Sequence, residues 1–506
     1  MRRASLAAFI LTCWVGSLSW LAWREWGPGS TDQFEGLDQR LPPGDAYLAL
    51  RIGDDQVGIV SSVLDTVRGG ARTVERLDLL ARGSDTAWRR TLSAEGVFGP
   101  PLSLHELSVV RGGDGTRLRL AATRDSVGRY SARVAIGGDT GSWTWPTPRR
   151  GAVRTVAAAL RYLGLTNNPS AAGPVMLLDP LGLDWQPFEG RVVAESVLVV
   201  PDSARLDAGS GRWVAARWDT VRARRIEYTA YGLPFDAWVD EDGNLVRAST
   251  PLGATVERTA FEIVRAGYDP RPAPDPSAPR LMAGPVPGAR VTRLVVTLGG
   301  ADTTTTAWRR IELDAPNQVR RGDTLEIRAS SLPPAPVDPT VGIDDIALMQ
   351  ASAAVPSADP RLLAQARRIA EPGTDPALMA TALSNWVVAN VELDRGGADH
   401  ALGALEHRRA TMAGRTLLFL ALARAVQLPA RPVAGLRWDG TAFHYHGWAE
   451  VKLPGGWVAA DPALDQFPAD ASRLRLATGV GADPATLAIL FGRLRPRVID
   501  IEAGTR

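Results

Sequence analysis

The sequence predicts an α+β chain: β-rich antiparallel domains follow an N-terminal transmembrane helix and precede a C-terminal unit of helices packed on an antiparallel sheet. Three observations predict it. From Asp45 to about Val264 the chain runs in short alternating or β-rich segments separated by Gly, Asp and Pro, the pattern of strands and turns. Between Pro360 and Pro429 the pattern turns helical, and Asp359-Pro360 and Asp375-Pro376 each pair an N-cap acceptor with proline at the first helical position. From Arg431 onward, "RPVAGLRW", "AFHYHGWAEVKL" and "GWVAADP" read as three strands joined by Asp-Gly and Pro-Gly-Gly turns.

With 506 residues the chain is too long for one compact core, so several folded units are expected. Residues 1–26 hold the first. Arg2 and Arg3 precede an uncharged run from Ala4 to Trp23, closed by Arg24 and Glu25. Twenty helical residues span roughly 30 Å, one bilayer core. The basic flank places the N-terminus in the cytoplasm and the bulk of the chain outside, and Trp20, Trp23 and Trp26 suit the far interface. An uncleaved membrane anchor is the expectation. A cleaved signal peptide is the competing reading, on the small residues Ser17 and Ser19.

Residues 45–266 read as a curved antiparallel sheet domain. "VDEDGNLV" carries a hairpin Asp-Gly, and one helix is expected over Ala152–Leu163, where apolar residues recur at three and four. Residues 267–289 hold seven prolines without helical or strand period and read as a semi-rigid linker. Residues 290–332 read as a small β module, 341–480 as the helical and strand unit, and 481–506 as a C-terminal extension. Within 341–480, helices are expected at about Pro360–Ala370, Pro376–Asn390 and Ala398–Arg408. A further apolar helix follows Ala410 and breaks before Pro429.

Charge and cysteine usage narrow the function. Lys+Arg 57 against Asp+Glu 55 leaves +2, without the concentrated positive charge of a nucleic-acid binder. Lys452 is the only lysine. Cys13, inside the apolar run, is the only cysteine, so the part beyond it has no disulfide and no thiol.

Several stretches occur together and in order: "LLAQARRIA", "ALSNWVVANVELD", "ALGALEHRRATMAGRTLLFLALARAVQLPARPVAGL" and "HYHGWAEVKLPGGWVAADPALDQFPADASRLRLATG". Over roughly Ile343 to Gly479 the chain resembles the transglutaminase-like superfamily, of the bacterial exported type. The resemblance implies a papain-like core with a Cys-His-Asp site. In such a site a cysteine at a helix start is stabilised as thiolate by orphan N–H groups and the helix dipole. A histidine takes its proton, and an aspartate orients the imidazole. Carried over by motif, His446 matches the family histidine and Asp461 the aspartate, while the cysteine position falls on Met412. A thioether has no proton to lose. Relatives carry a Gly-Asp-Cys type run there; this chain has Ala410, Thr411, Met412, Ala413 and Gly414, so the acidic cap is gone as well. His446, Trp448, Glu450, Trp457 and Asp461 persist.

These residues admit bland readings beside the sharp one. His446 and Asp461 could be a buried pair that supports the strands, with Met412 an apolar plug in the nucleophile pocket. His444 and His446 alternate on one strand face, the spacing of a His-x-His metal site, but there is no clear third ligand. Thr411 and Thr416 bring hydroxyls to the helix start as alternative nucleophiles. Trp386, Trp438, Trp448 and Trp457 suit a core, or the lining of a groove. The favoured expectation is a membrane-anchored, exported pseudoenzyme that binds a peptide or protein without modifying it. It has no cofactor and no metal. The alternatives are an active hydrolase or acyltransferase with a non-cysteine nucleophile, and a carrier or structural protein built on the N-terminal curved sheet.

Overall fold

The computed structural model describes residues 43–504 except 83–86, 101, 114–116, 137–138, 146–152, 166–174, 179–184, 231–232, 250–253, 270–278, 283–289, 300–312, 333–344, 347, 353, 372–373, 480–486 and 488–493. The chain is mixed α+β and mostly strand, with six α-helices among the described residues. The apolar run Ala4–Trp23 lies outside them. No helix among the described residues is long and apolar enough to cross a membrane.

Among the described residues, fifteen strands between Gly44 and Arg258 form one sheet. Gly44–Ile52 pairs with Ala254–Arg258 at its middle, and the remaining strands meander outward on either side in sequence order. Every pairing is antiparallel except the short contact of Val153–Arg154 with Val175–Leu178. The helix expected over Ala152–Leu163 runs from Val156 to Leu165, started by Thr155, whose hydroxyl accepts from the Ala158 N–H at 3.2 Å. Ala158 and Tyr162 join the core of one sheet half with Leu104, Val109 and Leu120. Ala159, Leu160 and Leu163 join that of the other half with Ile226, Ala237 and Val239. Fifteen strands about 4.8 Å apart would measure roughly 70 Å across if flat. A ten-residue helix can touch both halves only because the sheet curls around it.

A second sheet corrects the expected layout. Val291–Gly299, Thr324–Arg328 and Gln318–Arg321 form the small module, but its fourth strand is Arg495–Ala503. The expected C-terminal extension therefore completes the module, with Arg293 bonded to Glu326, Asp500 and Glu502. A pairing between residues some 200 positions apart leaves no local signature in sequence. Most of the proline-rich linker lies outside the described residues. Arg280–Leu281 within it is not a spacer: it adds in parallel to the edge of Phe443–Leu453.

The C-terminal unit places four helices against the sheet formed by Ala430–Trp438, Phe443–Leu453, Gly456–Ala460 and Arg473–Thr478. Asp359 and Asp375 cap Pro360–Ile369 and Pro376–Asn390 by accepting from the N–H groups two residues on. The helix expected from Ala398 starts at Ala401, because Glu392–Ala398 is a short strand paired with Arg409–Ala410. His400 takes the capping role, its Nδ1 accepting from the Gly403 N–H. Met412–Ala425 is the central helix. From Gly414 to Ala425 every residue but Leu417 is buried, as expected of a helix apolar on all sides.

Candidate functional site

The strand Phe443–Leu453 is buried on both faces and divides its residues by parity. Phe443, Tyr445, Ala449, Val451 and Leu453 enter apolar cores. His444, His446, Trp448, Glu450 and Lys452 share the other face by the period-2 alternation of a strand. Each polar member has its own partner. His444 Nε2 lies 2.6 Å from Asp439 Oδ2, Arg431 holds Glu450 at 2.7 Å, and Lys452 grips Asp345 at 2.7 Å.

His446 Nε2 lies 2.7 Å from Asp461 Oδ2, with the two side chains 2% and 0% exposed. Burial pushes the Asp461 carboxyl up. The charges of His446 and Arg473 and their hydrogen bonds outweigh that and hold it well below the usual aspartate range. The ionised carboxylate can only accept, so Nε2 carries the proton, and in the neutral ring Nδ1 keeps the lone pair. That is the tautomer a general base needs in this geometry.

Arg473 was not singled out in the sequence. Its Nε and Nη2 donate to the same Asp461 Oδ2 at 2.9 and 2.7 Å, while Nη1 donates to Gln466 and Asp470 at 2.7 Å each. Asp461 Oδ1 and Trp448 Nε1 are buried with no hydrogen-bond partner among the described residues. Asp461 thus divides one oxygen between an imidazole and a guanidinium. Arg473, Gln466 and Asp470 all fall in the quoted stretch "DQFPADASRL", but nothing in their spacing marks them as partners of Asp461. Only the return of Arg473–Thr478 beside Ala430–Trp438 brings them there.

Met412 is the first residue of the central helix and is partly buried. Thr411 supplies the cap, its hydroxyl accepting from the Gly414 N–H at 3.1 Å. Thr416 is buried and donates to the Met412 carbonyl at 3.1 Å. Both hydroxyls serve the helix backbone, which speaks against either as a nucleophile. The helix start is tied to the dyad's strand end: Arg415 donates to the carbonyl of Pro462, the residue after Asp461, at 3.3 Å and also to the Val391 carbonyl. Thr411→Ala is expected to cost about 1 kcal/mol through the lost cap, measurable as faster amide exchange in the first turn of the helix.

The remaining readings separate on geometry. His444 and His446 do not converge, since each ring turns its Nε2 to a different aspartate; among the described residues no group of His, Cys, Asp and Glu could hold a metal ion. Trp448 packs in a core with Val433, Ala459 and Ala469. Trp438 packs on Phe443, while Trp457 and Trp386 lie under the guanidinium groups of Arg431 and Arg408. These are packing roles.

Residues 364–462 match the family model of the transglutaminase-like superfamily. The match ends one residue past Asp461, so Gln466, Asp470 and Arg473 fall beyond it. Among solved structures the chain is similar to a candidate cysteine protease from Cytophaga hutchinsonii. The two are 17% identical over 43% of this chain and 86% of that one, with a TM-score of 0.27. It is also similar to a β-barrel-like protein of unknown function from Brucella abortus, 11% identical over 44% of this chain and 96% of that one, with a TM-score of 0.29. Both superpositions are loose and bear on nothing further. No curated protein matches the chain. The family match identifies residues 364–462, in the C-terminal part of this protein, as a transglutaminase-like superfamily domain.

Proposed function

We propose that this is an exported, membrane-anchored protein whose transglutaminase-like domain is a pseudoenzyme that binds a peptide or protein segment without modifying it. One observation carries the reading: the chain keeps a buried His446–Asp461 pair beside a helix that begins with Met412, and its single cysteine is Cys13. Acyl transfer in this fold needs a nucleophile able to lose a proton to the histidine. Met412 cannot do so, and the nearby hydroxyls of Thr411 and Thr416 are engaged with backbone. The apolar run Ala4–Trp23 behind Arg2 and Arg3 supports the anchored, exported part of the proposal.

Full-length protein in detergent tests it. The expected result is no amine incorporation into glutamine peptides and no peptide hydrolysis. Turnover by the wild type that disappears in His446→Ala would sink the proposal. Met412→Cys, made with Cys13→Ser, is expected to give a thiol that iodoacetamide alkylates about tenfold faster than a free cysteine at neutral pH, through thiolate stabilisation at the helix start. Adding His446→Ala should remove most of that gain. Recovery of the protein in the membrane fraction after alkaline extraction checks the anchor, and release into the supernatant would refute it.

A further inference from the structure

Two strands of the large sheet, Trp185–Asp207 and Arg212–Ala230, outrun their neighbours. On one side the pairing with Val175–Leu178 stops at Phe188. On the other, Leu233–Asp240 pairs only from Ala223 to Ala230. Beyond these points the two strands continue as a ribbon that, among the described residues, pairs only with itself. Its register shifts at Val192/Ala194, Pro201/Ser203 and Ser203/Ala204, and such bulges bend a strand pair. The ribbon does not stand away from the body: Leu198, Val200 and Val221 on its inner face pack with Trp238 and Val246.

Under the arch lies a cavity of about 270 Å³, walled by Val199, Pro201 and Trp218 of the ribbon and by Arg51, Arg247 and Arg258 of the sheet. Its floor is apolar, because Ala49, Val200 and Val246 are buried there. At its mouth, Val199 and Trp218 are 61% and 58% exposed, much apolar surface for a solvated position. Glu257 is the one carboxylate lining it among the described residues, and Arg247 pairs with it at 2.7 Å. Arg258 pairs with Asp240 at 2.7 Å. Arg51 reaches only the Asp54 carbonyl, at 3.4 Å, and has no carboxylate partner among the described residues. The cleft therefore joins an apolar floor, an exposed indole wall and one uncompensated guanidinium.

We propose that this cleft binds a small amphiphilic anion, its carboxylate or phosphate head on Arg51 and a short apolar chain between Trp218 and the Val200–Val246 floor. A guanidinium fork suits either head. A cleft of about 270 Å³ is of the size that takes an eight-carbon chain with its head. A neutral head leaves Arg51 unpaired, and a cationic one meets three arginines. The site is separate from the His446–Asp461 pair and does not depend on the pseudoenzyme reading.

Calorimetric titration of the full chain tests the proposal with octanoate, octyl phosphate, octanol and octylammonium. Octanoate or octyl phosphate is expected to bind at one site, about tenfold tighter than octanol, with octylammonium not binding; the tighter of the two anions identifies the head. Arg51→Gln should lower anion affinity about tenfold and leave octanol unchanged. Trp218→Ser should weaken anions and octanol alike. Arg247→Gln is the second charge variant, with a smaller loss expected because Glu257 already occupies that guanidinium, and circular dichroism verifies the fold of each. Equal binding of octanol and the anions, no effect of Arg51→Gln in a folded variant, or no binding by any probe up to its solubility would each overturn the site.

Discussion

Asp461→Ala is expected to destabilise the C-terminal domain by about 3–5 kcal/mol, the cost of breaking a buried ion pair from one side. The substitution leaves Nε and Nη2 of the buried Arg473 guanidinium without their acceptor and removes the partner of His446. Amide exchange along Phe443–Leu453 reads the loss in that domain alone, which matters in a chain of several units that do not unfold as one. Unchanged protection of those amides would mean that Gln466 and Asp470 suffice to hold Arg473.

The pH dependence has a definite sign. The folded-state pKa of Asp461 is depressed, so its stabilising contribution is fully present above the unfolded aspartate value of about 3.9. It is lost as pH falls through the folded value. Asp439 acts in the same direction: burial raises its carboxyl, but the N–H groups of Ala442 and Thr441, the Thr441 hydroxyl and His444 hold it below the usual range. In Asp461→Asn the stability deficit against wild type should therefore be constant near neutrality and shrink below about pH 4. A deficit that stays constant to pH 2 would show that the native carboxyl is not held ionised.

Gly435→Ala is the second large effect, about 3 kcal/mol at the upper end of overpacking costs. Gly435 stands directly opposite His446, where the register of Ala430–Trp438 against Arg473–Thr478 shifts. A Cβ there would collide with the Leu474 carbonyl oxygen and come within 3.0 Å of the Trp448 ring. The backbone carbonyl cannot swing aside as a side chain can, so the strand carrying Arg473 must move from the strand carrying Arg437. The expected result is loss of exchange protection in both strands and a changed His446 imidazole NMR signal. A variant with native protection would show that the bulge absorbs the methyl.

Much of the C-terminal fold was legible because its signals are local. Asp-Pro pairs marked two helix starts, unbroken apolar residues marked the central helix, and alternation with Asp-Gly and Gly-Gly turns marked the three strands. Motif and spacing put His446 and Asp461 on following strands, and the two side chains meet at 2.7 Å. Arg473 was not legible, because its value lies in a strand return that places it against Asp461, and an arginine in "ASRLRL" reads as any solvated charge. The same reason hid the C-terminal strand of the small module and the edge strand Arg280–Leu281, whose partners are distant in sequence. Thr411, a candidate nucleophile by sequence, has its hydroxyl as the cap of the central helix.

The sequence alone determined the residue types on which the chemistry turns: a methionine at the helix start, a histidine and an aspartate on following strands, and no cysteine but Cys13. These are covalent facts that no folding alters. Tertiary structure decided which charges meet. It brought Arg473 to Asp461, curled fifteen strands around one helix, and bent a ribbon back over its own sheet to leave an arginine facing an apolar floor. Each depends on long-range pairing and burial, where the loss of water makes a charge's partner matter, and neither pairing nor burial is a property of any short stretch of chain.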